Sequence, residues 1–106
     1  QEYFDIKQES PHMLITAQVK PEKIEEIPAV VHVDNSARVQ TVKLENNEKF
    51  RKLIESFHKE TNCPVILNTS FNVKGQPIVN SPKDAIECFL GTNIDVLVIG
   101  DYYIEK

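Results

Sequence analysis

Residues 65–100, VILNTSFNVKGQPIVNSPKDAIECFLGTNIDVLVIG, decide the fold. The run opens behind Pro64 with three apolar residues, Val65, Ile66 and Leu67, too few for a helix and bounded by turn residues; they predict a short, fully buried strand. A polar cluster follows at once, Asn68, Thr69, Ser70 and Asn72, and Gly75 lets the backbone turn. Ser81, Pro82 and Asp84 then supply a cap, a first-turn proline and an acid ahead of Ala85, Ile86, Phe89 and Leu90, and Gly91 stops the run. That predicts an amphipathic helix. Val96, Leu97, Val98 and Ile99 in succession suit a strand covered on both faces, and the tail DYYIEK extends it as an edge strand.

Upstream, HMLITAQVK alternates, with Met13, Ile15 and Ala17 opposite Leu14 and Thr16, and predicts a strand ending at Lys20 and Pro21. PEKIEEIP, with a proline at each end, reads as an exposed charged connection. AVVHVD and ARVQTVKLE are rich in β-branched residues and predict two strands around a turn at Asn35 and Ser36. Asn46 or Asn47 can cap a helix whose Phe50, Leu53, Ile54 and Phe57 recur at helical spacing, with Arg51, Lys52, Glu55 and Lys59 toward water; it stops at Thr61 to Pro64, TNCP. The order of elements predicts one α/β or α+β domain, a mixed twisted sheet carrying two main helices.

At 106 residues with 41% hydrophobic and 26% charged side chains, the chain suits one small globular domain with a thin stability margin. A net charge of -4, with Lys and Arg scattered among the acids, argues against nucleic acid as the primary partner. Cys63 and Cys88 stand far apart, without metal-ligand spacing or an activating base, and read as reduced packing thiols. No apolar run approaches the length of a bilayer span and no signal-like start is present, so the expected location is the cytoplasm. QEYFDIKQES opens without a cap or strand signal, as in a chain cut from something longer.

Ligands of open α/β sheets bind beyond the carboxyl ends of strands, which is where Asn68, Thr69, Ser70 and Asn72 fall if residues 65–67 form a strand. Their amides and hydroxyls can donate to phosphate or carbonyl oxygens without burying a charge; the same residues would equally make a self-satisfied turn. Arg38 could hold a phosphate or carboxylate bidentately, or pair with one of the many acids at the surface. His32 and Asp34, two apart on the preceding run, would face one side and could orient each other as an acid–base pair, or simply form a polar face. No GxGxxG and no GxxxxGK[ST] occurs, and no metal-ligand constellation is expected.

Three stretches in order, SPHMLITAQV, IPAVVHVDNSARVQTV and residues 65–101, resemble the carboxyl end of the nodulation and antibiotic-pathway O-carbamoyltransferases, through HVD, ARVQTV, NTSFN, G-x-P-I-V and the helix opened by SPxDA. The resemblance implies a partial YrdC-like fold, which in that family makes carbamoyl-adenylate from carbamoyl phosphate and ATP, with Mg accompanying the nucleotide. A separate N-terminal transferase domain then passes the carbamoyl group to a sugar or antibiotic hydroxyl. The resemblance implies that Arg38 binds phosphate and Ser70 hydrogen-bonds it, with Asn68, Thr69 and Asn72 close by and His32 and Lys74 among the binding residues. Lys74 stands where the family commonly has Arg, keeping the charge but losing the planar fork. The family's basic segment, which supplies further Lys and Arg to the same site, precedes the region covered here, so this chain alone is expected to hold part of a site and to be a poor catalyst. Without catalysis, the alternative is a packing module that docks on an upstream domain.

Overall fold

A computed structural model describes all of residues 1–106, which fall into two compact units, residues 1–67 and 68–106. The mixed α and β class is the one expected, with two main helices and small antiparallel sheets. No helix is long and apolar enough to cross a membrane.

In the first unit β1 (Phe4–Asp5), β2 (Ile15–Val19) and β3 (Ser36–Val39) form an antiparallel sheet in that order. Ile15 faces Val39, Thr16 faces Arg38 and Ala17 faces Ala37 across β2 and β3. The alternation read from the sequence sets the faces: Ala17, Val19, Ala37 and Val39 are buried, while Thr16, Gln18 and Arg38 are exposed. Tyr3, Val19, Ile27 and Ala37 form the core, with Ile24, Val30, Val31 and Val65 partly buried against it. Ser10, far away in sequence, ties down the end of β3: its buried hydroxyl donates to the Val39 carbonyl at 2.9 Å, and its amide donates to the Thr41 hydroxyl at 2.8 Å.

Two expectations for residues 21–34 are corrected. PEKIEEIP is not merely an exposed connection, because Ile27 is 5% exposed and belongs to the core. AVVHVD forms no strand: Pro28–Val30 is a short 3₁₀ helix, as is Pro21–Lys23, and Val33 is fully exposed. The cause is Pro28, which fixes φ and has no N–H for a ladder; the Val30 amide instead bonds back to the Ile27 carbonyl at 3.1 Å.

Helix α1 (Glu48–Thr61) starts where expected, the Asn47 side chain accepting from the Phe50 amide at 3.2 Å. It ends at Asn62, which takes the left-handed conformation and donates its amide to the His58 carbonyl at 2.7 Å. The apolar stripe is formed, yet no α1 residue is buried and Leu53 is 58% exposed. The run 65–67 is not the buried strand expected. Val65 and Ile66 are half-buried without strand pairing and Leu67 is exposed, because apolar burial alone makes no ladder without a partner strand.

In the second unit helix α2 (Pro82–Leu90) carries the predicted cap: the Ser81 hydroxyl accepts from the Asp84 amide at 3.1 Å, and the Gly91 amide closes on the Glu87 carbonyl. Ala85 and Phe89 are buried, and α2 packs against β4 (Val96–Ile99). Strand β4 pairs with β5 (Tyr102–Glu105) in a hairpin whose two-residue turn starts with Gly100 at φ 57, the requirement of a type II′ turn. The tail is therefore the expected strand, but β4 is not covered on both faces: Leu97 and Ile99 are half-buried, and Val96 and Val98 are exposed.

Candidate functional site

The polar cluster lies on an irregular loop whose base is closed by the Val79 amide donating to the Phe71 carbonyl at 2.9 Å. At its tip the Gln76 amide bonds to the Val73 carbonyl at 3.0 Å, and Gly75 takes φ 86 in the third position of the turn, a conformation costly for any side-chain-bearing residue. Asn72 braces this tip from inside the loop. Its side-chain amide donates to the carbonyls of Gln76 at 3.1 Å and Val73 at 3.3 Å, so its two N–H groups serve the loop and its side-chain oxygen is left as an acceptor. Lys74 sits exposed at the tip.

Thr69 and Ser70 stand exposed on the approach to this braced segment, and neither hydroxyl makes a hydrogen bond. Asn68 is exposed and engaged. Self-satisfaction of the loop therefore falls on Asn72, and the Thr69 and Ser70 hydroxyls take no part in it.

Arg38 and His32 belong to the first unit. Arg38 projects from the exposed face of β3, between buried Ala37 and Val39, opposite Thr16. It forms no ion pair, although acids pair with Lys23, Lys43, Arg51, Lys52 and Lys83 elsewhere on the chain. The surface ion pair that the composition allowed is therefore not what holds this guanidinium; its fork is available to an anion.

His32 and Asp34 do not share a strand. They lie in a tight turn in which the Asn35 amide bonds to the His32 carbonyl at 2.9 Å, the His32 amide bonds to the Ser36 carbonyl at 2.7 Å, and Asn35 takes φ 63. The Asp34 carboxylate accepts the Ser36 hydroxyl at 2.6 Å and the Ser36 amide at 3.1 Å. Those two bonds, the hydroxyl first, hold the Asp34 carboxyl below the usual carboxylate range. Asp34 thus serves as a turn lock that sets the entry to β3, two residues before Arg38, and the acid–base pairing with His32 is not formed. Sequence reading missed this lock; the D-x-S spacing ahead of a β-branched run was its one available sign.

In the first unit Arg38 offers a guanidinium fork, and in the second Thr69 and Ser70 offer neutral hydroxyl donors; each is a group suited to phosphate or carbonyl oxygens. No three His, Cys, Asp or Glu side chains of this chain are grouped to hold a metal ion.

The whole chain, residues 1–106, matches the family described as carbamoyltransferase C-terminus. It is 44% identical to the nodulation protein NolNO of Sinorhizobium fredii over 96% of the chain, which is 15% of that relative. It is 41% identical to a protein of Synechocystis over 99% of the chain and 20% of that relative. A 3'-hydroxymethylcephem-O-carbamoyltransferase of Amycolatopsis lactamdurans is 33% identical over 92% of the chain and 18% of its own length. The chain therefore spans a fifth or less of the length of these relatives, and it belongs to the carbamoyltransferase C-terminal family.

Proposed function

We propose that this member of the carbamoyltransferase C-terminal family works as part of a larger O-carbamoyltransferase and supplies one wall of the site that forms carbamoyl-adenylate from carbamoyl phosphate and ATP. An upstream N-terminal domain of the same polypeptide then transfers the carbamoyl group to a hydroxyl acceptor. In this reading Arg38 binds phosphate through its fork, Ser70 donates its hydroxyl to phosphate, and Asn68, Thr69, Asn72, His32 and Lys74 are substrate- or nucleotide-binding residues. The reading takes the domain as part of a YrdC-like fold at work in the cytoplasm.

The observation that supports it best is the exposed Arg38 guanidinium, fixed on a sheet between two buried residues and unclaimed by any acid. A catalyst of group transfer between phosphates acts chiefly by positioning and by neutralising developing charge, and a guanidinium held on a sheet is suited to both. The test is exchange of labelled pyrophosphate into ATP: the full-length protein shows it only with carbamoyl phosphate present. Absence of exchange in active full-length protein would overturn the adenylate step.

The uncovered apolar stripe of α1 favours a second reading, in which the chain is a non-catalytic module that docks on an upstream domain. Titration separates the two. If ATP, AMP and carbamoyl phosphate leave the amide resonances of residues 68–76 unmoved in the full-length protein, the module reading holds.

A further inference from the structure

The free edge of β4 differs in kind from that of β5. In an antiparallel pair, residues that exchange both backbone bonds alternate with residues whose backbone groups point away from the partner. The Lys106 amide donates to the Asp95 carbonyl at 3.3 Å, which places 95 and 106 in a bonded pair. By the register, Leu97–Ile104 and Ile99–Tyr102 are the next bonded pairs, and the backbone groups of Val96 and Val98 face outward. No backbone bond within the chain takes them up.

Exposed edges are ordinarily protected by Lys, Pro, a bulge or a covering element. Strand β4, VLVI, has no charge, no proline and no bulge, whereas the β5 side ends in Glu105 and Lys106. Val98 is 66% exposed, and the strand borders a cleft of about 380 Å³ lined by Leu97, Val98 and Ile99 together with Phe71, Val79 and Pro82. A two-stranded ribbon is marginal by itself, and four consecutive apolar residues read as an interior strand of a larger sheet.

We infer that the β4 edge is a strand-docking site, completed by an extended apolar segment of the same polypeptide lying outside these 106 residues. This rests on the reading that the protein is longer, as its relatives are five or more times the length of the matched region. The incoming strand bonds to the N–H and C=O groups of Val96 and Val98 and seats alternate apolar side chains beside Phe71 and Val79. Half-buried Leu97, Ile99, Phe71 and Val79 make the side of the cleft next to the strand apolar, so the segment that seats there carries apolar, β-branched side chains.

Hydrogen exchange on the full-length protein tests this. The Val96 and Val98 amides should exchange on the order of a hundredfold more slowly than the Tyr103 amide, whose outward position on β5 makes it the internal control. That protection should not change with protein concentration, and Val98→Lys should abolish it while the bonded-pair amides of Leu97 and Ile99 stay protected. Exchange of Val96 and Val98 as fast as Tyr103 would overturn the inference, and protection that grows with concentration would overturn it in favour of a second copy of this chain. No substrate enters the measurement, so failure of the pyrophosphate exchange leaves this result independent.

Discussion

Asn72 donates its side-chain amide to the Gln76 carbonyl at 3.1 Å, so one of the residues expected beside a ligand in NTSFN is the brace of its own loop. Its companions Thr69 and Ser70 keep their hydroxyls free. This division decides how variants of the loop will behave.

Asn72→Ala should loosen the tip without opening the base, because the Val79–Phe71 bond does not depend on it. The loss of two partly exposed bonds should cost about 1 kcal/mol locally, or roughly fivefold in opening. Amide exchange at Gln76 reads the change, with Val79 as the unaffected reference. Equal acceleration at both would show that the loop opens as one piece.

Ser36→Ala should raise the Asp34 pKa, since the Ser36 hydroxyl is the largest cause of its depression and the Ser36 amide remains. The sign follows from linkage. A carboxylate depressed in the folded state contributes stability above its unfolded pKa, and that contribution disappears as pH falls through the folded value, so the turn weakens only below about pH 4. Carboxyl NMR titration of Asp34 checks this, and an unchanged midpoint in the variant would refute the lock.

Ser81→Ala should destabilise the protein by about 1 kcal/mol through loss of the α2 cap, and Ser81→Asp should restore most of it. Urea unfolding followed at 222 nm gives the comparison, with a lower midpoint and an unchanged slope as the expected pattern. Equal midpoints for the three proteins would mean that tertiary packing of Ala85 and Phe89, not the cap, fixes the helix start.

What the sequence made legible was local. Asn47 and Ser81 announced both helix starts because a cap is a side-chain bond to a backbone group three residues away. The alternation in residues 13–19 announced β2 and which face it buries. The resemblance in HVD, ARVQTV and NTSFN pointed to the family that the whole chain then matched. Illegible were the relationships that need a distant partner. Residues 65–67 and β4 have the apolar content of interior strands; the first finds no partner strand and makes no ladder, and the second pairs with β5 alone and keeps one open edge. The AVVHVD run failed for a different reason, Pro28 outweighing the β-branched residues after it. At the site, Arg38 was visible as a residue type, but its freedom from acids and the commitment of Asn72 and Asp34 to turns depend on three-dimensional neighbours.

The most direct measurement of the central claim compares two steps in the full-length protein: carbamoyl-phosphate-dependent pyrophosphate exchange, and transfer from supplied carbamoyl-adenylate to a hydroxyl acceptor. Arg38→Ala and Ser70→Ala should each lower exchange by on the order of a hundredfold, the scale of losing one preorganised charge or donor, and leave transfer close to the parent rate. Exchange at the parent rate in both variants would contradict the assignment of Arg38 and Ser70 to the adenylate-forming site.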